Sequence, residues 1–191
     1  MIPATSQPHH HTKSRYPGHI YDENCDEVTL NRGLTNLDQP PILNNIRGKN
    51  MNVCYSYGGT ENQRQLVEKA VAWCFKRLTP RHSTLCVNVE LEDDLDVHGD
   101  CSKGGERNEF DISILKTLKG DDFLTTIFHE MVHVMQYAKG YMKDKNSEGT
   151  KVYWKGYDYS NYPYSKQPWE RQAFRMQEIL LKEWKKDVRN N

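Results

Sequence analysis

Two histidines four residues apart constrain this chain more than any other feature of its sequence. His129 and His133 are separated by one helical turn, and Glu130 directly follows the first of them. Positions i and i+4 lie on one face of a helix, so both imidazoles can bind one metal ion. Glu130 is rotated by about 100° from His129, which lets its carboxylate reach a water on that metal without being a ligand. The spacing therefore predicts a helix that carries a zinc site of the hydrolytic type.

The alternative is an amphipathic helix that carries the two histidines by accident. Apolar residues occupy most of the helix circumference, as expected for a helix inside a domain rather than on its surface. They are Phe123, Ile127, Phe128, Met131, Val132 and Met135. Histidines buried there without a partner would be costly, and a bound metal removes that cost. We therefore favour the metal site.

A catalytic zinc usually has three protein ligands, so the two histidines need one further donor. No histidine follows His133, and Glu170 is the best-placed carboxylate because it lies in the first turn of a predicted helix and precedes the small Ala173. Alternatively, Glu170 only favours the N-terminus of that helix electrostatically. Asp158 is the rival donor and His98 is a weaker one. The residue types alone leave this choice open.

The length and charge of the chain limit its organisation and its partners. Its 191 residues suit one domain with a single hydrophobic core. Lys plus Arg equals Asp plus Glu at 26 each, so neither nucleic acid nor a membrane surface is an expected partner. We predict a disordered tail over residues 1–22, an irregular N-terminal arm over residues 23–50 and one domain over residues 51–191. Without a membrane-spanning apolar run or a signal peptide, we expect a soluble, cytoplasmic protein.

Within the predicted domain, apolar periodicity indicates an α+β fold with a small mixed sheet of three to four strands. Predicted strands cover residues 52–57, 85–91 and 110–115, and a short strand or hairpin covers residues 151–157. One helix begins with a capping box at Thr60 and Gln63 and ends before Pro80. The metal-site helix runs from Asp121 or Asp122 to about Ala138. The last helix begins at Pro168. The acidic stretch Glu92 to Asp96 is expected to be a solvated turn, with a calcium site as the less favoured alternative.

Segments in roughly the last 80 residues resemble one family of enzymes. They are His129-Glu130-Met131-Val132-His133, Trp154-Lys155-Gly156, Tyr164, and Pro168-Trp169-Glu170-Arg171-Gln172-Ala173. In these segments the chain resembles the small zincin metallopeptidases, in particular the short phage-encoded and SprT-like ones. The resemblance implies a minimal zincin-like domain in which Glu170 completes the zinc site of His129 and His133. Gln172 stands where family members often have Glu, but that position is not a ligand.

The resemblance also implies a function, zinc-dependent hydrolysis of a peptide or protein substrate with Glu130 as the general base. The predicted strand over residues 110–115 would be the sheet edge to which an extended peptide adds. Tyr157, Tyr162 and Tyr164 are candidate donors to the oxyanion of the reaction.

Two other functions stay open. One is a non-catalytic binding or scaffold module with a structural zinc, which has no need of Glu130 and is disfavoured by its presence. The other is a nucleic-acid-associated protein with a basic C-terminus. The basic residues concerned are Lys182, Lys185, Lys186 and Arg189. Acidic residues lie among them, so a solvated helix face is the expected arrangement.

Overall fold

The computed structural model describes residues 51–144 and 151–190, so the predictions for residues 1–22 and 23–50 lie outside the described residues. The described part confirms the α+β class. Its strands are β1 (Val53–Gly58), β2 (Cys86–Glu92), β3 (Gly99–Lys103), β4 (Glu109–Leu115), β5 (Met142–Asp144), β6 (Val152–Trp154) and β7 (Tyr157–Asp158). Its helices are α1 (Glu61–Leu78), α2 (Gly120–Ala138) and α3 (Pro168–Arg189), and a 3-10 turn (Tyr164–Lys166) precedes α3.

Four strands form a mixed sheet in the order β1-β2-β4-β3. Strands β1, β2 and β4 are parallel, and β3 pairs antiparallel with the outer side of β4. The prediction that residues 110–115 form an edge is therefore wrong, because β3 covers that side of β4. Strand β3 has a weak sequence pattern, since Cys101 is its only buried residue. A strand with one apolar position between polar neighbours cannot be recognised from alternation.

The predicted capping box of α1 is confirmed. The Thr60 hydroxyl accepts from the Gln63 backbone N–H at 3.3 Å, and the Gln63 side chain accepts from the Thr60 N–H at 3.0 Å. Gln63 also donates to the backbone oxygen of Lys116 at 2.7 Å, so the start of α1 is tied to the chain that leaves β4. The local cap thus also orients α1 over the sheet.

Helix α2 lies inside the domain, as its apolar circumference predicts. Every residue from Thr126 to Gln136 is buried. The helix ends at Ala138, as predicted, and Gly140 adopts a positive φ of 67° just beyond it. The predicted cap at Asp121 or Asp122 is wrong, since the residue before the helix is Lys119 and no side chain caps the N-terminus. Asp121 instead forms a salt bridge with Lys185 of α3.

The hydrophobic core lies between one face of the four-stranded sheet and the three helices. Alternate residues of β2 and β4 point into it. They are Val87, Val89, Leu91, Phe110, Ile112 and Ile114. Helix α3 packs along α2, and the fully buried Ala173 lets the two helices approach closely.

A second, three-stranded sheet in the order β5-β6-β7 confirms the predicted hairpin. Met142, Trp154 and Trp169 form a separate apolar cluster that joins this sheet to the first turn of α3. This packing therefore holds in place the first turn of α3, which contains Glu170. In residues 51–144 and 151–190, no helix has the length and apolar character needed to span a membrane.

Candidate metal centre

Helices α2 and α3 bring His129, His133 and Glu170 into one buried group. One potential ligand atom from each residue lies within 4.8 Å of the others. Nε2 of His129 is 3.2 Å from Oε2 of Glu170, and Nε2 of His133 is 3.4 Å from Oε1 of the same carboxylate. Glu170 is 37 residues after His133 (170 − 133), so the packing of α3 on α2 brings the carboxylate to the histidines.

Glu130 is buried beside this group and lies next to the edge strand. A Cβ atom on Gly99 of β3 would lie 2.9 Å from Oε1 of Glu130 and 2.6 Å from Cγ2 of Thr126. Contacts this short mean that a side chain at position 99 would have to displace the side chains of Thr126 and Glu130. Gly99 therefore lets the edge strand lie directly against Glu130, a role that the sequence analysis missed.

Two glutamine side chains hold the imidazoles in one orientation. The side-chain oxygen of Gln177 is 2.7 Å from Nδ1 of His129, and that of Gln136 is 2.8 Å from Nδ1 of His133. An amide oxygen can only accept a hydrogen bond, so each Nδ1 carries the hydrogen and each Nε2 is left to face Glu170. Hydrogen-bonded partners of this kind fix the tautomer and the ring plane of metal-binding histidines.

Sequence reasoning overlooked both glutamines, although each has a detectable signal. Gln136 is a single polar residue directly after an apolar run in a buried helix, and it is fully buried. Its side-chain nitrogen donates to the backbone oxygen of Trp169 at 3.0 Å and to the side-chain oxygen of Gln172 at 3.1 Å. Gln177 follows Glu170 by two helical turns, which places both on the same face of α3.

Among the three candidate tyrosines, Tyr164 is the one with a hydrogen bond to the group. Its hydroxyl donates to Oε2 of Glu170 at 2.7 Å. Tyr157 is 73% exposed, and Tyr162 packs its ring against Tyr159 with 4.7 Å between centroids. Tyr164 is therefore the candidate tyrosine that contacts a potential metal ligand.

Burial and mutual charge shift the acid–base properties of the group. Burial raises the pKa of Glu130 to about 8, and the neighbouring His129 partly opposes this. Burial alone would also raise the pKa of Glu170, but the hydrogen bond with His129 and the nearby His133 lower it below its usual value. Burial lowers the pKa of His133, which favours its neutral form. An ionised Glu170 and a neutral His133 are the forms in which these side chains bind metal.

His129 behaves differently from His133. Burial again disfavours its charged form, but the hydrogen bond with Glu170 and the nearby Glu130 carboxylate outweigh burial and raise its pKa. A metal ion at Nε2 would compete with that proton, so metal binding there should release it.

The two rival donors lie outside the group. Asp158 is exposed, and its carboxylate accepts hydrogen bonds from the backbone N–H and the hydroxyl of Ser160. His98 is also exposed, and its backbone oxygen accepts from the N–H of Leu115 at 3.0 Å. The structure therefore brings Glu170, and neither rival, to the two histidines.

Comparison of the chain with models of protein families, with curated proteins and with solved structures found no match. The chemistry of the site lies in four buried residues on two packed helices, His129, Glu130, His133 and Glu170.

Proposed function

We propose that this protein is a zinc-dependent peptide-bond hydrolase in which His129, His133 and Glu170 hold the metal and Glu130 is the general base. One observation carries the proposal. Two imidazoles and a carboxylate from distant parts of the chain converge within 4.8 Å, and a further buried carboxylate directly follows the first histidine on the same helix. Such a three-ligand set leaves a fourth coordination position for water or substrate.

The donor atoms fit a zinc ion by type, and the two nitrogen–oxygen pairs also fit it by spacing. Imidazole nitrogen and carboxylate oxygen are ordinary zinc ligands, with bonds of about 2.0–2.1 Å in tetrahedral geometry, so neighbouring donors are about 3.3 Å apart. The two nitrogen–oxygen distances to Glu170 are 3.2 and 3.4 Å. The hydrogen bonds from Nδ1 to Gln136 and Gln177 supply the outer partners that zinc-binding histidines usually have.

When bound, zinc supplies Lewis acidity, which acidifies water and polarises a carbonyl group. Glu130 then accepts a proton from the attacking water and passes it to the leaving amine nitrogen, so the amide is split into a carboxylic acid and an amine. The buried position of Glu130, directly after His129 on α2, suits this role. Tyr164 is the candidate phenol for the oxyanion, and it would exchange its hydrogen bond to Glu170 for one to the oxyanion.

The edge strand suggests how a peptide would be held. Strand β3 pairs with β4 on one side, and no other described strand pairs with its second side. An extended peptide can add to such an edge through main-chain hydrogen bonds. Gly99 places this edge against Glu130, so a peptide on β3 would run past the general base.

The described thiols favour a reducing compartment such as the cytoplasm. Cys54, Cys74 and Cys101 are free. Paired cysteines would be expected in an oxidising compartment.

The test compares zinc content and peptidase activity in the same samples. Glu130→Gln should keep stoichiometric zinc but lower the cleavage rate of a fluorescent casein by about 10²- to 10⁴-fold, because the base is lost and the ligands are not. His133→Ala should lose the zinc as well. Glu178→Gln, at an exposed position on α3, is the matched control and should behave as the wild type. Full activity in the Glu130→Gln protein would refute the proposed role of this residue. Stoichiometric zinc without cleavage by the wild type would instead favour a structural site.

A further inference from the structure

Two aromatic side chains form an exposed surface directly beside the candidate metal centre. We call Phe174 and Tyr164 the aromatic rim. Phe174 is 49% exposed, and its ring centroid lies 4.8 Å from that of His129 in an edge-on arrangement. Tyr164 is 46% exposed, lies 6.5 Å from Phe174 between centroids, and donates to Glu170. Both rim residues thus contact a candidate metal ligand on one side and face solvent on the other.

The position of Phe174 on α3 explains this double contact. It follows Glu170 by four residues, so it lies one turn further along the same side of the helix. The neighbouring Ala173 and Leu180 face the core, whereas the ring of Phe174 contacts His129. Single exposed apolar residues are common on proteins and need no explanation. An exposed ring in contact with a buried candidate ligand, by contrast, is apolar surface at the edge of the site.

The charged groups near the metal centre limit what the aromatic rim can bind. Glu130, Glu170 and Asp100 are all acidic, and Asp100 is close enough to raise the pKa of both Glu130 and Tyr164. A zinc ion would offset part of this negative charge at the ligands, but Asp100 is outside the ligand group. Arg171, exposed on α3, lies one turn before Phe174, so charges of both signs surround the rim and neither an acidic nor a basic substrate side chain is favoured there. An apolar or aromatic side chain loses water-exposed area there without an electrostatic penalty.

We propose that the aromatic rim is the specificity subsite of the enzyme and binds a large apolar side chain, best an aromatic one, on the residue next to the cleaved bond. This inference rests on the proposed function, because it takes the metal centre as the place of reaction. It adds the chemical class of the substrate residue. Cleavage then occurs beside residues such as Phe, Tyr or Leu and is slow beside Ala or Glu.

The first experiment measures binding without requiring catalysis. Hydroxamates of phenylalanine, alanine, glutamate and lysine are titrated calorimetrically into the zinc-loaded wild-type protein. The hydroxamate group is common to all four, so differences in Kd report on the side chain. Phenylalanine hydroxamate should bind at least about tenfold tighter than alanine hydroxamate, as follows from burial of an aromatic ring. Equal affinities, or tighter binding of the glutamate or lysine compound, would overturn the subsite.

A matched pair of variants assigns the preference to the rim. Phe174→Ala removes the ring at the metal centre, and Ile179→Ala removes an apolar side chain with the same exposed fraction, 49%, elsewhere on α3. The ratio of the alanine to the phenylalanine Kd should fall at least fivefold in Phe174→Ala and stay unchanged in Ile179→Ala. Phe174→Leu, which keeps an apolar side chain, should restore part of the ratio. A ratio that Phe174→Ala leaves intact would show that the rim is not the subsite.

The outcome is separable from that of the proposed function. Zinc content and cleavage of two peptides that differ only by Phe or Ala next to the cleaved bond are measured on the same proteins. A hydroxamate preference that depends on Phe174, without cleavage of either peptide, would refute the peptidase and retain the subsite. Equal cleavage of both peptides would refute the subsite and retain the peptidase. A wild-type protein that takes up no zinc would overturn both.

Discussion

Gln136 offers the sharpest test of how the metal centre is assembled, because its amide contacts both helices that supply ligands. The side chain is fully buried, accepts from Nδ1 of His133 at 2.8 Å and donates to the backbone oxygen of Trp169 at 3.0 Å. Trp169 directly precedes Glu170, so this single amide joins the second histidine to the turn that carries the third ligand. Replacement of Gln136 should therefore affect zinc affinity as well as stability.

The magnitude for Gln136→Leu follows from the contacts that are lost. The Nδ1 hydrogen of His133 becomes a buried donor without a partner, which costs about 1–3 kcal/mol, and the bond to Trp169 is worth about 0.5–1.5 kcal/mol. The free energy of unfolding of the metal-free protein should thus fall by roughly 2–4 kcal/mol. Zinc affinity should fall about 10- to 100-fold, as is usual when the outer partner of a histidine ligand is removed.

Two further variants separate the two roles of this amide. Gln136→Glu keeps an acceptor for His133 but loses the donor to Trp169, so it should bind zinc more tightly than Gln136→Leu while remaining destabilised. Gln172→Ala removes only the second acceptor of the Gln136 amide and is the control for general disturbance of α3. Urea unfolding with chelator and a competitive zinc titration give both quantities. Zinc affinity in Gln136→Leu within twofold of the wild type would refute the positioning argument.

Three other predictions concern the ligand, the general base and the edge strand. Glu170→Gln should weaken zinc affinity at least about tenfold, because a neutral amide replaces an anionic donor. Asp158→Asn should keep the affinity of the wild type. A zinc titration giving the reverse order would assign the role of third ligand to Asp158. Gly99→Ala should lower the melting temperature and the peptidase rate together, since its Cβ would lie 2.9 Å from Oε1 of Glu130, and an unchanged rate would contradict that contact. The metal-free protein should lose stability as pH rises toward 8, because burial raises the pKa of Glu130 to about 8 from its ordinary value near 4.5 and the charged form is the disfavoured one. Between pH 5 and pH 8 the melting temperature of Glu130→Gln should fall less than that of the wild type. Equal falls would count against the raised pKa of Glu130.

The sequence determined those features of the protein whose interactions are local. The capping box of Thr60 and Gln63 spans three residues, and the pair His129 and His133 spans one turn of helix α2. In both cases the interacting groups are placed by the helix itself, so their spacing in the chain is enough to predict them. Gly140 likewise ends α2 through its own backbone conformation.

The tertiary structure decided the features that depend on distant partners. Strand β3 became the edge because it pairs with β4, although its own residues carry almost no strand pattern. Gln177 meets His129 across 48 residues of chain. The sequence favours Glu170 among the carboxylates, but its distances to the histidines follow from the packing of α3 on α2. Such contacts are set by long-range packing and pairing, which sequence spacing does not encode.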